Sequence, residues 1–73
     1  MDEDLLVERL AALEHVQWME WATAIMAVEP ISKERRERWQ RLMVPYDRLS
    51  EDTKEADRKY ARKALRLLLN EDD

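Results

Sequence analysis

Residues 4–28, DLLVERLAALEHVQWMEWATAIMAV, contain neither glycine nor proline, and Pro30 stands just beyond them. The stretch predicts one long helix from about Asp4 to Val28. Acids in its first turn suit the positive end of the helix dipole. Pro30 ends it, because the residue before a proline is pushed out of the α region. At about 100° per residue, Leu6, Leu10, Leu13, Trp21, Ala24, Ile25 and Val28 fall on one broad face, with Val7 and Trp18 at its margin. A second apolar set, Leu5, Ala12, Val16, Met19 and Met26, falls roughly opposite. A helix that is apolar on both sides is buried on both sides. Two shorter helices can cover one side only, so the other predicts a second copy of the protein and a homo-oligomer built on this helix.

Two more helices follow. Ser32 is a good N-cap for a short basic helix reaching about Met43, before Pro45. Residues 44–49, VPYDRL, read as a turn. Ser50 then caps a third helix through about Asn70, in which Glu55 and Lys59 have the spacing of an i,i+4 ion pair. The 73-residue chain has no glycine, which disfavours tight β hairpins and excludes phosphate-cradling glycine loops. It has no cysteine, which excludes disulfides, zinc fingers and thiol catalysis and agrees with a cytoplasmic location. No apolar run suits a membrane span, and the acidic start Met1-Asp2-Glu3-Asp4 is wrong for a signal peptide. The expectation is one all-α, compact three-helix domain over residues 1–73, with a long first helix, a short basic second and a third. A domain this small rarely stabilises itself by its core alone, and self-association is the expected staple.

Charge and aromatic placement mark the candidate site. Residues 1–29 hold seven acids against one base, and residues 30–43 hold two acids against five bases. At net charge −4 overall, DNA or RNA binding is disfavoured, while a local basic patch can hold a small anion. Glu14 lies between Trp18 and Trp21 on the wheel, and Gln17 sits beside Leu10 and Leu13. Either Glu14 pairs with an arginine of a later helix, or Glu14 and Gln17 offer hydrogen bonds in a pocket walled by Trp18 and Trp21. His15 points elsewhere and reads as a hydrogen-bonded structural residue. Arg35 and Arg38 flank Trp39 on the second helix; two arginine forks beside an indole suit an anionic aromatic ligand, and equally suit docking on the acidic first helix. On the third helix Ala56, Tyr60, Ala64, Leu67 and Leu68 make the expected inner face, extended by Ala61 and Leu65. Asp57 falls within that arc and needs a donor: an arginine, an indole N–H or the turn around Tyr46.

The segment Val44-Pro45-Tyr46-Asp47-Arg48-Leu49-Ser50-Glu51, followed by Lys54-Glu55-Ala56-Asp57-Arg58, resembles the close of ryanodine-receptor-type repeat domains. Glu14-His15-Val16-Gln17-Trp18 is similar to their H-x-x-W helix. The resemblance runs from Leu13 to Leu68 and matches the family pattern at Trp18, Tyr46, Asp57 and Arg58. The chain departs from the pattern where typical repeats carry a longer polar insertion; here the basic helix with Trp39 stands in its place. The resemblance implies a helical module that oligomerises and binds a small molecule. By analogy of class it suggests a phage-encoded sponge, acting in the host cytoplasm, that sequesters a nucleotide-derived immune signal. The alternative is a helical interaction module that binds and blocks a host protein. An enzyme is not expected: the chain has no second histidine, no nucleophile paired with a base, and no metal-ligand spacing, so no cofactor or metal is predicted.

Overall fold

A computed structural model describes residues 2–69; the expected end of the third helix at Asn70 lies outside them. The order is α1 (Glu3–Val28), α2 (Lys33–Arg41), a single 3-10 turn (Tyr46–Arg48) and α3 (Glu51–Leu68). The fold is all-α, with three helices and no strand among the described residues. No helix among them is long and apolar enough to cross a membrane.

The helix boundaries follow from local chemistry. The Asp2 carboxylate accepts from the Asp4 amide at 3.3 Å. Ser32 and Ser50 cap α2 and α3 as the sequence predicts, accepting from the amides of Arg35 at 3.1 Å and Thr53 at 3.2 Å. Each satisfies one of the orphan donors of a first turn. The Arg36 guanidinium donates to the Met26 carbonyl at 3.2 Å, so α2 supplies a partner for a carbonyl in the last turn of α1. Helix α2 closes at Arg41, with Leu42 as its cap, two residues before the predicted end. In α3, Glu55 pairs with Arg62 and Arg58 rather than with Lys59.

Helices α1 and α3 run antiparallel: Glu8 meets Arg58, and His15 meets Asp57. The face of α1 in this contact is neither of the two apolar sets. It is the strip between them, with Ala11, His15 and Ala22 buried. Leu13 and Trp21, expected in the core, are more than half exposed, and Val28 is 75% exposed. On α3 the buried residues are Ala61 and Leu65, while Tyr60, Leu67 and Leu68 face out. The reason is steric: alanines on both helices let the two backbones approach closely, and bulky leucines at the same positions would hold them apart. Among the described residues no large side chain is fully buried.

Candidate functional site

The 3-10 turn between α2 and α3 is fastened to α1 by two polar locks. His15 is 3% exposed and its Nε2 lies 2.7 Å from the Val44 carbonyl oxygen. A carbonyl can only accept, so Nε2 carries the hydrogen and donates it. The ring stacks on Trp18 at 5.9 Å between centroids. Its other nitrogen, Nδ1, faces the Asp57 carboxylate at 3.9 Å, too long for a hydrogen bond and within ion-pair range. Asp57 therefore faces His15, at ion-pair and not hydrogen-bond distance, rather than any of the donors expected from the sequence.

The second lock centres on Glu8, which sequence reasoning missed. Tyr46 donates its hydroxyl to Glu8 Oε2 at 2.6 Å, and Arg58 Nε donates to Glu8 Oε1 at 2.7 Å. Arg58 also donates to Glu51 at 2.9 Å. The Tyr46 hydroxyl, with Arg58 beside it, holds the Glu8 carboxyl below its usual range. Burial, helped by the bond to Glu8, pushes the Tyr46 phenol up to about 12. Glu8 was legible in one respect: it falls on the wheel with Ala11, His15 and Ala22, at steps of 3, 4 and 7 residues.

Between the locks and α2 lies a shallow apolar groove of about 160 Å³, lined by His15, Trp18, Leu42, Thr53, Ala56 and Asp57. It offers the Trp18 indole, backed by the buried His15 ring, as a flat wall, and a carboxylate and a hydroxyl as polar points. Burial raises the Asp57 carboxyl above its ordinary value, and the charge of nearby Glu14 adds to the rise. A carboxyl that ionises less readily in the folded state contributes stability fully below its ordinary value of 3.8; that contribution is lost as pH rises through the folded value. Asp57→Asn, which cannot ionise, is therefore expected to gain on the wild type as pH rises from 4 to 7. Urea midpoints of both proteins at the two ends of that range check this; parallel shifts would mean that Asp57 is solvated.

The structure gathers the expected site residues into three places. Trp18 and Asp57 share the groove, with Glu14 half-buried beside Asp57. Trp39 of α2 packs edge-on to Trp18 at 6.1 Å and against Trp21 at 5.5 Å, which puts Trp21 on the outer side of this cluster. Tyr46 and Arg58 belong to the Glu8 lock. Gln17, Arg35 and Arg38 are exposed and none of them lines the groove. No group of three or more acid or histidine side chains among the described residues could hold a metal ion.

An antiparallel helical pair, joined by a short helix and fastened through a polar turn, is a small all-α module with an aromatic-walled groove. The chain matches the RyR domain over residues 2–72 and belongs to that family. No curated protein and no solved structure matches it.

Proposed function

We propose that the chain is a non-enzymatic binding module whose groove takes the flat ring of a nucleotide-derived ligand. The observation that carries this reading is the shared wall of Trp18 and Asp57. The indole supplies a stacking surface worth about 1–3 kcal/mol for one base. The carboxyl and the Thr53 hydroxyl supply acceptors for an exocyclic amine or a ribose hydroxyl. Phosphates would be met outside the groove, by the exposed Arg35 and Arg38 of the helix whose Trp39 packs on Trp18. Binding without turnover suits a protein that sequesters a nucleotide signal, as a phage-encoded anti-defence sponge does.

Thermal melting against a panel of nucleotides tests the reading. A ligand that binds only the folded state adds about 2.7 kcal/mol at a concentration one hundred times its Kd, so Tm rises visibly. Trp18→Ala is expected to abolish the rise. Arg38→Ala is expected to weaken binding about ten-fold by removing a charge-assisted phosphate contact. A Tm indifferent to every nucleotide would overturn the proposal in favour of a module that binds and blocks another protein.

A further inference from the structure

The face of α1 turned away from α3 carries a seam. Leu6, Leu10, Leu13, Gln17, Trp21, Ala24 and Val28 recur at steps of 4, 3, 4, 4, 3 and 4 residues. Such spacing keeps side chains on one line of a helix and suits left-handed packing against another helix. Much of this line stays open in the protomer: Leu13, Trp21 and Val28 are 53%, 54% and 75% exposed, while Leu6 and Leu10 are half-buried and Trp21 meets Trp39 on one side. The seam is also a palindrome. Leu13 and Trp21 stand 4 residues either side of Gln17, Leu10 and Ala24 stand 7, and Leu6 and Val28 stand 11.

We infer that α1 pairs with α1 of a second copy, antiparallel, about a two-fold axis through Gln17. A two-fold contact requires a surface complementary to itself, and a palindromic seam is one. Each large side chain then meets a smaller one: Trp21 lies against the partner's Leu13, and Leu10 against the partner's Ala24. Gln17 is the one polar residue of the seam and meets its own copy on the axis. An amide both donates and accepts, so two glutamines satisfy each other there, and a single polar pair in an apolar seam fixes the register.

Charge supports the same occupant. Helix α2 touches the second half of its own α1, through Trp39 on Trp18 and Trp21 and through Arg36 on Met26. Antiparallel pairing sets that half against the first half of the partner's α1, so the basic helix lies beside a segment in which acids outnumber bases. Arg35 and Arg38 are exposed and make no ion pair within the described residues of their own chain. The pairing also supplies burial to a domain in which no large side chain among the described residues is fully buried.

The chain has no cysteine, so single cysteines report the geometry cleanly. Sedimentation equilibrium of the intact protein at micromolar concentration is expected to give twice 8.8 kDa, and Leu13→Glu to raise the dimer dissociation constant ten-fold or more while the helical circular dichroism remains. Under mild oxidation Gln17→Cys is expected to form a covalent dimer. Leu13→Cys alone is expected not to, whereas a mixture of Leu13→Cys and Trp21→Cys chains cross-links. A monomer, or a larger assembly, overturns the inference. So does a Leu13→Cys protein that links to itself as readily as Gln17→Cys, because only a parallel or shifted pairing brings position 13 onto itself.

Discussion

His15→Ala is expected to lower the free energy of unfolding by about 2–4 kcal/mol. Two losses add. The Val44 carbonyl, which accepts from Nε2 at 2.7 Å, is left without its donor in a partly buried place. The ring's volume, stacked on Trp18 and 3% exposed, becomes a void between α1, α3 and the turn. A core of this size supplies only about 3–5 kcal/mol, so the variant is expected to be largely unfolded at room temperature unless association rescues it. Urea unfolding followed by circular dichroism measures the loss. His15→Gln retains an N–H for the carbonyl and gives up the ring, and is expected to fall between the two. A His15→Ala protein as stable as the wild type would remove the imidazole from the lock.

Trp39→Ala is expected to cost about 2–3 kcal/mol, less than a fully buried tryptophan because the indole is half-buried. The cost is local. Helix α2 is held to α1 by this indole between Trp18 and Trp21 and by the Arg36 bond to Met26. Nine residues cannot hold a helix in water without docking. The α1–α3 pair keeps both polar locks, so the expected result is a protein with α2 released and the remainder folded. Trypsin is a direct reporter, since α2 carries Lys33, Arg35, Arg36, Arg38 and Arg41. Rapid cleavage confined to α2 in the variant, with slow cleavage in the wild type, is the predicted pattern. Equal rates at α2 in the two proteins would mean that other contacts hold the helix.

Much of the site was visible in the sequence as residue types before it was visible as an arrangement. Trp18 and Asp57 stood out because an indole and a carboxylate on otherwise apolar arcs need explaining, and they meet in the groove. Arg35 and Arg38 stood out for the same reason and do not reach it. Glu8 drew no notice because an acid near a helix start already has an explanation in the helix dipole. Its two partners, Tyr46 and Arg58, are 38 and 50 residues away, a separation that no local rule spans.

The sequence by itself determined the three helices, the serine caps of α2 and α3, and the breaks at Pro30 and Pro45. These follow from short-range chemistry: backbone sterics, hydrogen bonds across three residues, and periodicity. Only the tertiary structure decided which side of α1 takes α3. By hydrophobicity the leucine-rich seam is the stronger candidate, yet α3 packs elsewhere and leaves Leu13, Trp21 and Val28 more than half exposed. The chosen side carries Glu8, Ala11, His15 and Ala22, poor in apolar area on a wheel. Its advantage exists only once α3 and the turn are present: Ala61 lets the backbones close, while Val44, Tyr46, Asp57 and Arg58 supply partners for the polar groups. A buried polar residue is costly alone and acceptable when paired, so its preference for a face is a property of the assembled contact and not of the helix that bears it.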